Sequence, residues 1–497
     1  MYTPTRSDFK ILAHHANLIP VYRELPADLE TPVSVYMKLR GAGESFLLES
    51  VEGGEQLARY SFLAARPAQT LTLRGDTLMI RDSARVQEIA LNGRDPLLVL
   101  REHLQQFRAV RLPGLPRFCG GAVGFLSYDL VRRIERLPAT ARDDQNFPDA
   151  MFLLTDTLVA FDHVKHRALV IANAAVNGDA DAAYDDAIAR IDEIIQRLEK
   201  PMPHAETPEP RSTVAKGNLS SDVSPEEYMR AVARAKEHIA AGDIFQIVLS
   251  QRFSRELYGD ALSVYRALRR INPSPYMFLL DFGDTQFIGS SPEALVRLED
   301  DVAQLNPIAG TRPRGDTPEQ DAQLENELRE DPKERAEHVM LVDLGRNDLG
   351  RVCEYGSVRV PEFMQVERYS HVMHLVSRVE GRLRADADGF DLMRAAFPAG
   401  TVSGAPKIRA MELIEELETT RRGPYAGAVG YFGFPVDGKS NLDFCITIRT
   451  IIQRGNRAFI QAGAGIVADS DPAREHQECV NKARALAEAI RIAEEGL

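Results

Sequence analysis

The sequence predicts an α+β fold in which large, mainly antiparallel β-sheets pack as a sandwich with helices on the outside. Apolar runs of strand length alternate with segments of helical periodicity along the 497 residues. Short turn sequences at 438–439 and 454–456 favour antiparallel pairing of the neighbouring strands. With 44% hydrophobic and 27% charged residues, the chain is too well mixed for disorder and too long for one ordinary core. Two domains are therefore expected.

The first part of the chain contains both kinds of element. Strands are predicted at 45–50, 70–74 and 151–161, and helices at 96–107 and 182–198. Residues 199–224 contain four prolines and no periodic apolar pattern, which is typical of an exposed connection. We therefore predict an N-terminal domain at 1–198, a linker at 199–223 and a C-terminal domain at 224–497.

A capped helix is predicted to open the C-terminal domain. Ser224 caps it, Pro225 lies in its first turn, Glu227 completes a capping box and Gly242 ends it. The strand predicted next, at 244–253, carries Phe245 and further apolar residues on one face. Its other face is polar and includes Gln246, so we expect that face to look into a site.

The remaining elements are joined by loops of small residues. Strands are predicted at 277–282, 286–289, 428–434, 445–452 and 458–462, and helices at 332–343, 407–418 and 472–489. The small-residue loops lie at 310–312, 399–407 and 463–465. Each alone is typical of a turn, but the second leads into a helix whose first N–H groups favour an anion. A G-x-G-x-x-A match at 463–468 lacks the helix that a dinucleotide site requires.

The charge balance excludes some partners. Sixty Lys and Arg against 73 Asp and Glu give a net charge of −13, which disfavours nucleic acid or an anionic membrane as the main partner. The four cysteines stand singly, without the spacing of a zinc site, and no Cys lies in a nucleophile elbow that would hydrolyse glutamine. No leader or membrane-spanning run is evident. A cytoplasmic protein is expected.

Two helices carry acidic pairs. Glu334 and Glu337 lie three residues apart on one predicted helix, and Glu475 and Glu478 lie three apart on the last one. Carboxylates from two helices suit Mg²⁺, which prefers oxygen ligands. The alternative is two solvated faces, with Glu478 paired to a lysine four residues on. The sequence around Glu337 departs from known zinc motifs, so zinc is less favoured.

Further polar residues stand where chemistry is possible. Arg449 lies in an apolar strand pattern, so it requires either an ion-pair partner on the sheet or an anionic ligand. Glu293, His374 and Tyr425 are candidates to act on a substrate, although a histidine alone is more often structural.

Several long strings resemble the chorismate-utilising enzymes, and most closely the large subunits of anthranilate synthase. They lie at 307–315, 337–348, 400–407, 463–465 and 475–482. The resemblance spans about 224–489 and, more weakly, 33–161. It implies conversion of chorismate and ammonia to anthranilate and pyruvate, the first step of tryptophan biosynthesis.

The resemblance also implies roles for single residues. It makes Glu337 and Glu478 the ligands of Mg²⁺ and Glu293 the general acid, links His374 to the elimination step, and places Thr311 and Gln246 among the catalytic residues. The substrate carboxylates are assigned to Gly310, Thr311, Tyr425, Arg449, Gly463, Ala464 and Gly465. Relatives that add water carry a lysine base at the position of Gln246, and relatives that aminate C4 carry a nucleophilic lysine at Ala309. Both substitutions favour anthranilate formation.

A regulatory site and partners are implied in the same way. Ser50, Pro275, Tyr276 and Met277 resemble the family's feedback site for L-tryptophan; the alternative is a strand and a turn that only pack together. Ammonia is expected from a separate glutamine amidotransferase subunit, which makes the protein part of a hetero-oligomer. Two other functions stay open: an aminodeoxyisochorismate synthase that stops before pyruvate release, and a non-catalytic tryptophan sensor.

Overall fold

The computed structural model describes residues 1–41, 43–51, 59–203, 219–369 and 372–496. Of the predicted linker at 199–223, residues 204–218 lie outside the described ranges. The helices are Arg6–Leu12, Pro32–Leu39, Pro96–Gln105, Ala180–Leu198, Pro225–Ala241, Ala261–Ile271, Pro318–Glu330, Pro332–Gly350, Gly389–Ala396, Lys407–Leu417 and Pro472–Glu495. Within the described ranges, no helix is long and apolar enough to cross a membrane.

The strands are, in chain order, β1 (Leu18–Pro26), β2 (Ser45–Glu49), β3 (Tyr60–Ala65), β4 (Gln69–Arg74), β5 (Thr77–Arg81), β6 (Val86–Ala90), β7 (Gly121–Leu126), β8 (Ala150–Thr155), β9 (Thr157–Asp162), β10 (Arg167–Ala175), β11 (Ser220–Ser221), β12 (Gln246–Glu256), β13 (Tyr276–Asp281), β14 (Thr285–Ser291), β15 (Ala294–Glu299), β16 (Val302–Leu305), β17 (Ile308–Pro313), β18 (Arg359–Arg368), β19 (Val372–Arg382), β20 (Gly404–Ala405), β21 (Ala428–Gly433), β22 (Leu442–Ile446), β23 (Thr450–Arg454) and β24 (Arg457–Ile466).

Two large antiparallel sheets form the body of the protein, which confirms the predicted fold class. The described strands of the first sheet run β1-β10-β9-β3-β2-β13-β14-β23-β24-β12-β11, with β20 beside β12. Those of the second run β17-β19-β16-β15-β22-β21-β7-β8-β4-β5-β6, with β18 beside β19. Each sheet takes strands from both sides of the predicted linker. The division at 199–223 stays a prediction and does not coincide with a break between the sheets.

The two sheets pack face to face over an aromatic core. Phe46 and Phe278 of the first sheet join Phe125 and Val429 of the second in one buried cluster. The outer faces of the sheets are covered by the helices through separate clusters. Because successive side chains of a strand point to opposite faces, each central strand is apolar on both sides. The predicted sandwich with outer helices is therefore confirmed.

Local chemistry explains the helix that precedes β12. The Ser224 hydroxyl accepts from the Glu227 amide, the Glu227 carboxylate accepts from the Ser224 amide, and Pro225 lies in the first turn. The helix ends at Gly242, whose φ of 83° lies in the left-handed region that a residue with a side chain disfavours. Phe245 was expected on the apolar face of the next strand, but it lies just before β12, which begins at Gln246, and it is 73% exposed. That part of the strand prediction was wrong.

Candidate functional site

A cavity of about 320 Å³ lies beside the place where the chain passes twice between the two sheets. The first passage is Pro292 and Glu293, between β14 and β15, and the second is residues 447–449, between β22 and β23. The residues predicted from the sequence that line this cavity are Gln246, Glu293, Thr311, Glu337, His374, Tyr425, Arg449, Gly463, Gly465 and Glu478. Strands, loops and helices far apart in sequence therefore deliver the predicted side chains to one place.

The second passage corrects a predicted strand. The apolar pattern at 445–452 predicts one continuous strand, but the strand stops at Ile446 and a new one begins at Thr450 in the other sheet. Arg449 has a φ of 50°, which turns the chain between the sheets and directs its guanidinium to the cavity. Within the described ranges, no carboxylate lies within ion-pair distance of Arg449. The sheet ion pair considered as an alternative is therefore absent there, and an anionic ligand is favoured.

The carboxyl group of Glu293 has a strongly raised pKa. Glu293 follows Pro292 at the first passage and lines the cavity. Burial raises the pKa of Glu293 to about 8, and the neighbouring Thr401 hydroxyl partly opposes this. The carboxyl group therefore holds its proton at neutral pH, as a general acid requires.

The acidic side of the cavity is built from two helices. Burial raises the pKa of Glu337, which lies on the helix Pro332–Gly350, and the nearby Glu334 and Glu478 carboxylates raise it further. Gln246 opposes this by donating from Nε2 to Glu337 Oε1 at 3.1 Å. Glu478, from the last helix, is bound by Lys482 at 2.7 Å. Both predicted arrangements of Glu478 are thus present: it lines the cavity and it pairs with Lys482.

These carboxylates fit a hard cation. Within the described ranges no group of three or more His, Cys, Asp or Glu converges on one point. Two carboxylates with mutual repulsion nevertheless suit Mg²⁺, which commonly takes one or two protein oxygens and completes its shell with water and substrate oxygens. The electrostatic influence of Glu478 on Glu337 is the feature that a divalent cation would relieve.

His374 and Thr311 face each other across β17 and β19. His374 Nδ1 lies 2.9 Å from the Gly310 carbonyl oxygen and 3.1 Å from Thr311 Oγ1. A carbonyl oxygen can only accept, so Nδ1 carries the proton and Nε2 keeps its lone pair. Burial lowers the pKa of His374, and the imidazole is therefore neutral at pH 7.

Gly310 is not among the residues that line the cavity, and its predicted role in substrate binding stays a prediction. It lies in strand β17, not in a loop, at an irregularity of the pairing with β19 and with a φ of 66°. A side chain there would meet Leu328 at 2.8 Å. Gly310 therefore shapes the strand and presents its carbonyl to His374.

The predicted loop 463–465 is the end of strand β24. Gly463 and Gly465 face the cavity, whereas Ala464 is 1% exposed and packs in the cluster on the opposite face. The alternation of a strand explains the direction of the Ala464 side chain, and the predicted role of its backbone amide in substrate binding stays a prediction. A Cβ on Gly463 would lie 2.6 Å from the Tyr425 hydroxyl, so only glycine lets that hydroxyl approach the strand.

Buried charges hold this wall in place. Arg422 is 3% exposed and donates to the Val402 carbonyl at 2.7 Å and the Val248 carbonyl at 2.6 Å. Glu418 neutralises it through two hydrogen bonds, at 2.6 and 2.8 Å. The guanidinium also lies over the Tyr425 ring, 5.7 Å from its centre. Arg422 thus joins three cavity walls that sequence reasoning did not connect.

A second, smaller cavity of about 100 Å³ lies between the sheets. It is lined by the predicted residues Ser50, Pro275, Tyr276 and Met277. Asp443 also lines it and accepts from the Tyr276 hydroxyl at 3.0 Å. Burial raises the pKa of Asp443 to about 6, and Arg117 and Tyr276 oppose this. The predicted strand and turn therefore enclose space instead of only packing together.

Sequence reasoning missed several residues of the two cavities. Thr401 and Gln461 line the larger one, and Lys482 there joins Glu478 to the Gly463 carbonyl at 2.8 Å. The i, i+4 spacing of Glu478 and Lys482 was visible, but it did not reveal the third partner. Asp443 had no signal, because a single acid in a strand pattern is usually solvated.

Comparison with known proteins identifies relatives along the whole chain. A model of the chorismate binding enzymes matches residues 44–488. Anthranilate synthase component 1 of Acetivibrio thermocellus is 48% identical over 499 residues, 100% of both chains. The crystal structure of anthranilate synthase component I from Streptococcus pneumoniae TIGR4 is 38% identical, with a TM-score of 0.77 over 93% of this chain and 98% of that one. The menaquinone-specific isochorismate synthase of Escherichia coli, at 21% identity and a TM-score of 0.69, shares the fold over 97% of this chain and 99% of its own.

Proposed function

Because the chain belongs to the chorismate-binding enzymes, we propose that it is a lyase that converts chorismate and ammonia to anthranilate, pyruvate and water, with Mg²⁺ as its cofactor. One observation carries the proposal. A single cavity combines an acid that keeps its proton, an arginine without a carboxylate partner among the described residues, and two glutamates from separate helices. A dicarboxylate that must lose a hydroxyl group requires this combination.

Substrate binding depends on locally gathered donors, since the chain as a whole is anionic. The Arg449 guanidinium and the Tyr425 hydroxyl hold one carboxylate beside the backbone of Gly463 and Gly465. Burial of Arg449 strengthens its attraction for an anion, because little water competes for it.

Glu293 then donates its proton to the 4-hydroxyl, which leaves as water while ammonia forms a bond to C2. Hydroxide is a poor leaving group, so this proton lowers the barrier. In the second half-reaction, neutral His374 takes the proton from C2 through Nε2. The electron pair forms the aromatic ring and expels the ether oxygen as enolpyruvate, which takes up a proton and becomes pyruvate.

Glu337 and Glu478 would hold the metal, which supplies a Lewis acid at the ring carboxylate. Gln246 fixes the Glu337 carboxylate by its hydrogen bond. Two substitutions support amination at C2: Gln246 is not a base for water, and Ala309, which lines the cavity, cannot form a covalent adduct.

The proposal extends to regulation and partners. L-tryptophan binds the smaller cavity, with its ring among the aromatic and apolar residues and its N–H groups near Asp443. Ammonia reaches the cavity from a separate glutamine amidotransferase subunit, as the designation component 1 of the relatives supports. A cytoplasmic location remains a prediction from the single, unpaired cysteines.

The direct test supplies purified protein with chorismate, Mg²⁺ and ammonium at alkaline pH. Anthranilate fluorescence and pyruvate should rise in equal amounts. Amination without pyruvate would instead identify an aminodeoxyisochorismate synthase. If folded protein supplied with Mg²⁺ forms no product, the lyase proposal is refuted. The non-catalytic tryptophan sensor is then the remaining function.

A further inference from the structure

The two cavities share a wall formed by the two passages between the sheets. Pro275, Tyr276, Asp443 and Cys445 face the smaller cavity, and Glu293, Ile448 and Arg449 face the larger one. Strand β22 lines the smaller cavity at Asp443 and Cys445, and the passage that follows it reaches the larger cavity at Ile448 and Arg449. Three peptide units separate Ile446, the last residue of β22, from Arg449.

Hydrogen bonds join the two passages to each other. The Ile446 amide donates to the Glu293 carbonyl at 3.0 Å, and the Ser290 amide donates to the Arg449 carbonyl at 3.1 Å. These two are backbone bonds. Among the described hydrogen bonds, one side chain joins the two passages. It is Ser291, whose hydroxyl donates to the Ile446 carbonyl at 2.7 Å.

Ser291 lies beside Tyr276 and Cys445, which line the smaller cavity, and beside the backbone of Glu293. It is fully buried, and it is the cross-strand partner of Tyr276 in the pairing of β13 with β14. Burial raises the pKa of the Cys445 thiol, and the Ser291 hydroxyl opposes that rise, which places the hydroxyl beside Cys445. The Glu293 amide points back at the same hydroxyl, at 3.5 Å.

We propose that Ser291 is a positioning residue that couples the two cavities. Its hydroxyl ties the passage carrying Glu293 to the passage carrying Arg449, so occupancy of the smaller cavity changes the placement of both side chains in the larger one. The inference rests on the proposed function, because it assumes that chorismate occupies the larger cavity and tryptophan the smaller one. A ligand in the smaller cavity then acts by shifting the populations of the conformations of the shared wall, not by contact with the other ligand.

The test measures coupling separately from binding. The coupling ratio is the chorismate KM with saturating L-tryptophan divided by the KM without it. Ser291→Ala should lower this ratio about fivefold, the effect of losing one buried hydrogen bond. The Kd of tryptophan for the variant alone, followed by the emission of bound indole in a chain without Trp, should change less than about twofold.

Ser290→Ala is the matched control. Ser290 is equally buried, and its hydroxyl bonds to Ser274 at 2.9 Å and to the Asn272 carbonyl, but not to Ile446. Its coupling ratio should equal that of the unchanged protein. Equal loss in both variants, or an unchanged ratio in Ser291→Ala, would overturn the proposal.

A measurement on the unchanged protein covers the case of a variant that does not fold. Tryptophan should slow amide hydrogen exchange in peptides containing 290–294 and 446–450, and unchanged exchange there despite bound tryptophan would overturn the coupling role. Failure of the proposed function is distinguishable: the unchanged protein would then form no anthranilate or bind no tryptophan.

Discussion

Replacing Glu293 by Gln tests the chemistry most directly, because it keeps the size of the side chain and replaces the carboxyl group by an amide that cannot act as an acid. Among groups facing the larger cavity, Glu293 is the one whose pKa is raised to about 8. A general acid contributes about 10²- to 10⁴-fold to a reaction. We therefore expect kcat with ammonium to fall at least about 100-fold, with the chorismate KM nearly unchanged, because substrate carboxylates are held by other residues.

The magnitude follows from the shifted pKa. With a pKa of about 8, roughly nine-tenths of the Glu293 carboxyls hold a proton at pH 7, whereas at the ordinary value of 4.5 about 0.3% would. Burial thus enlarges the active population roughly 300-fold. Above pH 8 the acid form, and hence kcat, should fall about tenfold per pH unit.

The same shift has a cost in stability that the variant should remove. Between about pH 4.5 and 8 the folded state keeps a proton that the unfolded state has lost, so the free energy of unfolding decreases as the pH rises through this window. The glutamine side chain of the Glu293→Gln variant has no such proton. At pH 9 the variant should therefore be more stable than the unchanged protein, on the order of 2 kcal/mol after allowance for water in the cavity.

The assay follows anthranilate fluorescence across pH 6 to 10 at a constant, saturating concentration of free NH₃, together with chemical denaturation at pH 6 and pH 9. Glu412→Gln, at a surface pair with Arg409, is the control and should leave both quantities unchanged. Retention of more than about a tenth of kcat in Glu293→Gln, or a profile of the unchanged protein without a fall near pH 8, would refute the assignment of the acid.

Three further predictions concern the metal and the smaller cavity. Glu478→Gln should abolish turnover and weaken the response of the thermal midpoint to Mg²⁺ without unfolding the protein; an unchanged Mg²⁺ titration would contradict the ligand assignment. Lys482→Met should raise the affinity for Mg²⁺, because Glu478 loses the cation that now pairs with it, and should raise the chorismate KM because Gly463 loses a bond; unchanged values of both would argue against its role. Tryptophan inhibition should weaken as the pH falls below about 6, where Asp443 gains a proton. Asp443→Asn should remove this pH dependence, as measured by inhibition curves at pH 5.5 and 7.5. The same pH dependence in the variant would show that Asp443 is not its cause.

The elements that local patterns predicted are those whose signals lie among near neighbours in the sequence. The helix after Ser224 has all its signals within one turn of its ends, and its start and end were both placed correctly. The last helix was also predicted, although it continues beyond residue 489 to Glu495. Features set by contacts close in sequence are thus readable from the sequence.

The break at 447–449 and the strand at 463–465 were not predicted, for a common reason. An apolar run of eight residues does not reveal that its first half pairs in one sheet and its second half in another. A run with two glycines likewise predicts a loop when its partner strand is not known. Here the partner strand is β12, which pairs with residues 463–465 of β24. Of the site, the individual residues were predictable through family resemblance, whereas bridging groups such as Lys482 and Arg422 required the assembled fold.

The interleaving of early and late strands within both sheets has a consequence during synthesis. β2 pairs with β13, and β7 pairs with β21, which emerges from the ribosome some three hundred residues later. Until then the open edges of these apolar strands are templates for pairing with other nascent chains. Ribosome-bound chains ending before β21 should therefore recruit chaperones and aggregate when released, and the complete polypeptide should not.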